Sequence, residues 1–141
     1  TGERRGLLVE EQRVNYCLQS EAFGTSPWSA NNVTITADQA VAPNGATTAD
    51  TLAVTSANGT VTQPVTTTAI AMTFSVYLKR KTGTGNIDIT ADGTTWVTQT
   101  ISDAAWTRCV VTQTAVAGTS NPGIRIVTSG DEVYAWGGQY E

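Results

Sequence analysis

The side chains that could perform catalysis are few in this sequence of 141 residues. It has no histidine, two cysteines and twelve aspartates and glutamates. The lack of histidine excludes His-containing zinc sites, Ser-His-Asp triads and histidine general bases. An enzyme built from the remaining groups would need a pair of carboxylates, as in a glycoside hydrolase, and no stretch carries a local signature of such a pair. We therefore expect that the protein is not an enzyme.

The two cysteines, Cys17 and Cys109, leave two alternatives open. A disulfide between them would close a loop of about 90 residues and add about 4–5 kcal/mol of stability in the chain-entropy model. Alternatively, each cysteine is a small buried apolar side chain. Neither their spacing nor their surroundings selects between the two, so a disulfide between Cys17 and Cys109 is kept as a hypothesis.

Charge and hydropathy limit the partners. The net charge is −4 and the eight basic residues are scattered, whereas a nucleic-acid binder shows a basic surface. No apolar run reaches the roughly 18 residues that a membrane span requires. The sequence therefore predicts neither nucleic-acid binding nor membrane insertion.

The domain organisation follows from length and from the first residues. No initiator Met precedes TGERRGLLVEE, which indicates a piece of a longer parent chain. We predict a lead-in over residues 1–12 and a single domain over residues 13–141, long enough to bury a core.

Alternation of apolar and polar residues indicates β-strands throughout the chain. In MTFSVYLK (72–79), the apolar residues face one way and the Thr, Ser, Tyr and Lys residues face the other. Similar patterns predict strands in VNYCLQS (14–20), NVTITA (32–37), ADTLAV (49–54), TVTQPV (60–65), NIDITA (86–91), WVTQTI (96–101), WTRCVVTQT (106–114), GIRIVT (123–128) and VYAWGGQYE (133–141). Turn signals such as Asp92-Gly93 and Asn121-Pro122-Gly123 separate the strands. About eight or nine strands drawn from these ten segments predict an all-β sandwich or barrel.

An ordered series of segments carries a family resemblance. The segments are GLLVEEQRVN (6–15), LQSEAF (18–23) with Trp28 after it, NVTITA (32–37), APNGATTADTL (42–52), FSVYLKR (74–80), the W-x-R of Trp106 and Arg108, and IRIVTSGDEVYAWGGQYE (124–141). Together they resemble a domain that recurs in virion proteins of tailed bacteriophages: tail fibres, tail-tip proteins and head spikes. Cys17 and Cys109 depart from the pattern, which has an aliphatic and an aromatic residue there.

The resemblance implies an antiparallel two-sheet β-sandwich of the jelly-roll type, as in carbohydrate-binding modules. In that fold the first and last strands are adjacent. RVNYCLQS (13–20) and VYAWGGQYE (133–141) are then expected to be paired edge elements, with Gly137 and Gly138 allowing a bulge. The resemblance further implies an extracellular location on the virion surface, with a cell-surface polysaccharide or glycan and neighbouring virion protein chains as partners.

A sugar-binding site needs exposed aromatic rings beside polar groups that contact hydroxyls. Tyr77 and Lys79 meet this requirement on the polar face of the strand at 72–79, although cross-strand packing would also explain the tyrosine. Asp88 is on the outward side of NIDITA. Arg108 and Arg125 lie opposite apolar neighbours, where they are either solvated or salt-bridged residues or part of the same sheet surface as Tyr77.

The positions of the other large aromatic residues in turns, motifs and strands indicate whether each ring is exposed or buried. Trp96 follows a turn and is a candidate ligand-binding residue, either a loop-borne platform or a cover over the core. Trp28, Phe74 and Trp106 match family motif positions and are predicted to lie in the core. Tyr134 and Trp136 alternate with Val133 and Ala135, and the larger rings are expected to face inward.

The resemblance also implies a candidate structural calcium site near the chain ends, because related sugar-binding sandwiches often carry one. Its oxygen ligands would come from Glu10, Glu11, Glu21 and Glu141. No Asp-rich calcium loop accompanies them, and no other cofactor is expected.

Two functions from different classes remain. The leading hypothesis is a non-catalytic glycan-binding module of a phage virion protein, a tail fibre or head spike, used in host-surface attachment. The alternative is a purely structural spacer or decoration domain of the virion that binds no sugar. An exposed aromatic strip on one sheet, surrounded by polar groups, would favour the first.

Overall fold

The structure, a computed structural model, describes residues 15–141. This part of the chain contains twelve strands and no helix that is long and apolar enough to cross a membrane. The strands are β1 (Ser29–Asn31), β2 (Val33–Ala40), β3 (Ala49–Val54), β4 (Gly59–Thr62), β5 (Val65–Thr67), β6 (Ala71–Thr82), β7 (Ile87–Thr90), β8 (Val97–Gln99), β9 (Thr107–Thr114), β10 (Gly118–Ser120), β11 (Gly123–Ile126) and β12 (Glu132–Tyr140). The predicted lead-in of residues 1–12 lies outside the described residues.

Two antiparallel five-stranded sheets form a sandwich. The first sheet has the strand order β9-β6-β12-β3-β2, and the second has the order β1-β4-β11-β7-β8. A short two-stranded sheet joins β5 to β10. The all-β antiparallel sandwich predicted from the sequence is confirmed. The count of twelve exceeds the expected eight or nine because three-residue strands such as β1, β5 and β10 are too short to show a period.

The core lies between the inward faces of the two sheets. Strand β6 places Phe74, Val76 and Leu78 there with no exposed surface, as the alternation of its sequence requires. Strands β7 and β11 supply Ile87, Ile89, Ile124 and Ile126 from the opposite sheet. Burying each such side chain contributes about 1.5–3 kcal/mol, so this shared interior fixes which face of every long strand points inward.

Strand β12 is a central strand of the first sheet, between β6 and β3. Its register shifts after Trp136, where Gly137 adopts a φ of 69°. Val133 and Ala135 are fully buried, whereas Tyr134 and Trp136 are half-buried on the other face. The expectation that the larger rings face inward is therefore wrong, because the interior beside β6 is already filled by longer apolar side chains.

The two terminal segments of the predicted domain are adjacent, as expected, but they are not paired edge strands. The Tyr16 N–H donates to the Tyr140 carbonyl at 2.8 Å, and the Gly138 N–H donates to the Ser20 carbonyl at 2.9 Å. Residues 15–20 form no strand, and β12 is not an edge. The paired-edge interpretation fails because β12 has partners on both sides.

Cys17 and Cys109 are both free and buried, so the disulfide considered for this pair is not formed. Both belong to the apolar core cluster. Burial raises the pKa of the Cys17 thiol to about 12 and that of the Cys109 thiol to about 11. The alternative of two small apolar core residues describes them correctly.

Candidate functional site

Four aromatic rings lie on the outer surface of the first sheet. Strand register places Tyr77 of β6 opposite Trp136 of β12, and their ring centroids are 5.7 Å apart. Tyr134 lies two residues along β12 on the same face. Trp106 directly precedes β9, whose first residue pairs with Leu78. We call Tyr77, Trp106, Tyr134 and Trp136 the aromatic face; each of them is half-buried.

The segment of residues 41–48, which joins β2 to β3, orients the two tryptophans. The Trp106 indole N–H donates to the Val41 carbonyl at 3.1 Å. The Trp136 indole N–H donates to the Thr48 hydroxyl at 3.1 Å. Both rings are thus held with their polar N–H groups satisfied, which leaves their apolar surfaces as the part available for contact.

The bulge in β12 keeps the edge of Tyr77 uncovered. A Cβ atom on Gly137 would lie 3.6 Å from Cδ2 of the Tyr77 ring. Glycine suits this position because it adopts the positive φ, whereas a Cβ would add an ordinary van der Waals contact with the edge of the Tyr77 ring.

Basic side chains surround the aromatic face. Lys79 is paired in register with Tyr134, and Arg108 is paired with Tyr77. One guanidinium nitrogen of Arg108, Nη2, donates to the Ser75 hydroxyl at 3.4 Å. Lys81 Nζ lies 5.6 Å from the centroid of the Tyr134 ring and 3.1 Å from a carboxylate oxygen of Glu132. Three of the predicted site residues, Tyr77, Lys79 and Arg108, are therefore brought together.

The other three predicted site residues form a separate group on the second sheet. Asp88 Oδ2 accepts hydrogen bonds from Nε and Nη2 of Arg125 at 3.0 and 2.7 Å. Asp88 Oδ1 accepts from the Thr98 hydroxyl at 2.7 Å. The Arg125 guanidinium lies 4.8 Å from the centroid of the Trp96 ring, within the range of a cation–π contact. The Asp88 carboxylate is thus satisfied by Arg125 and Thr98.

Arg108 and Arg125 do not share a sheet surface, contrary to one interpretation of the sequence. Strand β9 is in the first sheet and β11 is in the second. Both residues face outward, as their alternation predicts, but from opposite sides of the sandwich. The salt-bridge alternative applies to Arg125, whose partner is the buried Asp88.

The sequence analysis did not group Trp106, Tyr134 and Trp136 with Tyr77, whereas the structure places all four on the aromatic face. The expectation of a core position is correct for Trp28 and Phe74, which are buried, but wrong for Trp106, which is half-buried because it alternates with inward residues and lies on the outer face with Arg108. The signal that would have found the other two is the fully apolar pair Val133 and Ala135, because residues on one face of a strand are buried together.

A second feature on the surface is a cleft of about 230 Å³ lined by Tyr16, Thr66, Thr67, Thr68, Ile70 and Met72. Tyr16 and Ile70 are 47% and 56% exposed. Its lining carries hydroxyls and apolar groups but, in the described residues, no charged side chain.

The residues proposed for calcium are only partly described. Glu10 and Glu11 lie outside the described residues, and Glu21 is exposed. Within residues 15–141, no three acidic, cysteine or histidine side chains are grouped closely enough to hold a metal ion.

Comparisons with known proteins address the fold. No protein-family model matches the sequence, and no curated protein matches it. The CBM22-1 xylan-binding domain of Paenibacillus barcinonensis Xyn10C is similar in structure, with a TM-score of 0.60 at 17% identity over 83% of this chain and 86% of that chain. TmCBM61, solved in complex with β-1,4-galactotriose, has a TM-score of 0.62 at 15% identity over 92% of this chain and 99% of that chain.

A phage protein shares the same architecture. The enzymatically active domain of tailspike protein 4 from bacteriophage CBA120 has a TM-score of 0.62 at 12% identity, over 89% of this chain but only 21% of that chain. At these identities the similarities establish the fold, which is the jelly-roll sandwich of carbohydrate-binding modules and of one part of a tailspike chain.

Proposed function

We propose that this domain is a non-catalytic glycan-binding module and that the aromatic face is its binding surface. The observation that carries the proposal is the placement of four Trp and Tyr rings together on the outside of one sheet. Four other aromatic residues, Phe23, Trp28, Phe74 and Tyr140, are buried in the core. Rings left outside a filled core are available to a ligand.

The chemistry of the face suits a sugar. The apolar face of a pyranose ring stacks on an aromatic ring, and its hydroxyls need hydrogen-bond donors at the rim. Tyr77 and Trp136 offer two rings tilted by 53° to one another, so a chain of sugars with successive rings at different inclinations can contact both. Lys79 and Arg108 supply donors beside them. The fold shared with a xylan-binding domain and a galactotriose-bound module supports this assignment.

A catalytic role is not proposed. Glycoside hydrolysis needs two carboxylates that flank the scissile bond. Glu132, two residues before Tyr134 on β12, has a carboxylate oxygen 3.1 Å from Lys81 Nζ and is therefore already engaged as an ion-pair partner. Binding without turnover is the function that the geometry supports best.

We propose further that the parent protein is a virion component of a tailed phage, a tail fibre or head spike, and that glycan binding attaches the particle to its host. The sequence resemblance to phage virion domains and the structural similarity to part of a tailspike support this proposal. It places the domain on the virion surface, beside neighbouring virion chains.

A glycan array probed with the wild-type domain and three variants tests the binding proposal. Tyr77→Ala and Trp136→Ala each remove a ring from the aromatic face. We expect each to weaken binding roughly tenfold, because one aromatic contact contributes about 0.5–1.5 kcal/mol beyond the area that it buries. Trp96→Ala is the matched control, since it removes an aromatic ring from the opposite sheet.

The outcomes separate the alternatives. Retained binding by Trp96→Ala with loss in the other two variants supports the aromatic face. Loss in Trp96→Ala alone would move the site to the second sheet. Failure of the wild-type domain to bind any glycan at high concentration would favour the spacer or decoration domain instead.

A further inference from the structure

The basic residues of the described chain differ in whether they are paired with a carboxylate. There are five of them: Lys79, Arg80, Lys81, Arg108 and Arg125. Two are committed to buried aspartates. Arg80 Nη1 lies 3.6 Å from Asp131 Oδ2, and Arg125 Nη2 lies 2.7 Å from Asp88 Oδ2. Asp131 and Asp88 are 5% and 3% exposed, so these pairs belong to the structure of the domain.

The three remaining basic residues all lie on the outer surface of the first sheet. Strand alternation puts Lys79 and Lys81 on the same side of β6 as Tyr77, and register puts Arg108 opposite Tyr77. Lys81 is paired with Glu132 at 3.1 Å. Lys79 and Arg108 have no carboxylate partner in the part of the chain that the structure describes. A protein of net charge −4 thus carries two uncompensated cations on one face.

The two cations flank one ring. Arg108 is the direct cross-strand neighbour of Tyr77, and Lys79 is the next outward residue along β6. Diagonal cross-strand neighbours of this kind are roughly 7–8 Å apart, within the reach of long side chains. A sugar ring stacked on Tyr77 would therefore have one positive group beside it on β9 and a second one two residues further along β6.

We infer that the ligand of the aromatic face is an acidic glycan, whose carboxylate or sulfate groups are bound by Lys79 and Arg108. This inference rests on the proposed glycan-binding function and narrows it to a ligand class. A neutral sugar needs only hydrogen-bond donors, which hydroxyl and amide side chains supply without repelling one another. Two unpaired cations on one face repel each other, and an anion bound between them removes that cost.

Matched pairs of polymers test the charge directly. The wild-type domain is titrated with polygalacturonate and with its methyl ester, and with dextran sulfate and dextran. Each pair has one backbone and differs in charge. We expect at least one acidic member to bind about tenfold or more tightly than its neutral counterpart, because hydrogen bonds to charged groups are the stronger class. The preference should shrink as the salt concentration rises, since exposed charges are screened.

Charge-removing and charge-retaining variants assign the preference to residues. Lys79→Gln and Arg108→Gln should each reduce the acidic-to-neutral affinity ratio several-fold, roughly threefold to tenfold, while Lys79→Arg keeps it. Equal binding of both members of each pair by the wild-type domain would overturn the acidic preference and leave the proposed function standing. An unchanged ratio in both glutamine variants would also overturn it. Binding of no polymer in these pairs or on the array would remove the proposed function as well.

Discussion

Burial determines the chemistry of the two cysteine side chains. Cys17 and Cys109 are 4% and 1% exposed, and the low-polarity surroundings disfavour their thiolate forms. Only the thiolate is a nucleophile, so a raised pKa together with steric shielding makes these thiols inert.

We therefore predict that neither thiol reacts with Ellman's reagent in the folded protein. At about pH 8, a thiol of pKa about 12 is ionised in roughly one molecule in ten thousand. Both thiols should react in urea. Free glutathione under the same buffer conditions is the control, and rapid reaction of one thiol before unfolding would contradict the burial described here.

Asp50 is a buried carboxylate that accepts hydrogen bonds from two separate backbone segments. Its Oδ2 accepts the Phe23 N–H at 2.9 Å and its Oδ1 accepts the Asp38 N–H at 3.2 Å. Burial raises the pKa of Asp50, although the two hydrogen bonds oppose that shift. A raised pKa in the folded state means that this group stabilises the fold below its unfolded pKa, and that this contribution is lost as the pH rises through the folded pKa.

Asp50→Asn should lower the free energy of unfolding by about 1–3 kcal/mol, because the amide nitrogen cannot accept one of the two backbone N–H groups. Urea denaturation measures the loss, with the exposed Asp103→Asn as the control. The advantage of the wild type over Asp50→Asn should decline as the pH rises from acidic to neutral. An advantage that instead grew over this range would show that the pKa of Asp50 is lowered.

The direction in which individual side chains point was predictable from the sequence only in part. Alternation assigned the inward face of β6 and the outward direction of Tyr77, Arg108 and Arg125 correctly. It failed for Tyr134 and Trp136 when ring size was used to choose between the two faces of β12. Size does not decide burial where the neighbouring strand already fills the interior, and that information lies in the pairing of β12 with β6.

Among the elements, the bulge in β12 connects the fold to the candidate site. Gly137 has a φ of 69°, and the register of β12 with β6 shifts at this point. The shift also lets Tyr140 return to the core, where its hydroxyl donates to the Ala91 carbonyl at 2.6 Å. Gly137 thus allows Trp136 to lie on the outer face of the sheet and Tyr140 to lie in the core, although both belong to β12.

Gly137→Ala should destabilise the domain by about 1–2 kcal/mol, since a Cβ disfavours positive φ. It should also weaken glycan binding, because the methyl group would contact the edge of Tyr77. Gly130→Ala is the matched control: its φ is 90°, but a Cβ there would meet no atom within 4 Å. Thermal denaturation and glycan titration separate the two effects, and equal glycan affinity for both variants would argue against a role of this bulge in the site.

The elements themselves were largely predictable, but their arrangement was not. Segments such as ADTLAV, WTRCVVTQT and VYAWGGQYE became β3, β9 and β12 with small changes of boundary. A period of two reports which side of a strand is polar. It does not report which sheet the strand joins, so the six predicted site residues were divided between opposite faces of the sandwich.

The two ends of the domain, residues 15–20 and the end of β12, are joined by hydrogen bonds of the Asn15 side chain. Its Oδ1 accepts the Tyr140 N–H at 2.9 Å and the Cys17 N–H at 3.0 Å, and its Nδ2 donates to the Gly138 carbonyl at 3.3 Å. The Asn15 side chain therefore adds two polar contacts with the end of β12 to the two backbone hydrogen bonds that Tyr16 and Ser20 make with it.

Asn15→Ala should lower the free energy of unfolding by about 1–3 kcal/mol, because two backbone donors lose their acceptor in a partly buried site. Urea denaturation is the measurement. Asn86→Ala, at an exposed position whose side chain makes no hydrogen bond among the described residues, should change stability by less than about 0.5 kcal/mol. Similar losses in both variants would show that Asn15 does not join the segments.

The aromatic rings lie on the outside of a sheet, and under the proposed function this position has a kinetic consequence. A ligand held on one side only can leave without any opening motion, so we expect a short residence time for one domain on one chain. On the proposed virion, several copies would compensate through avidity, which raises apparent affinity by about 10²–10⁴ without a new contact. Such a surface suits reversible sampling, in which single contacts break while the particle stays attached.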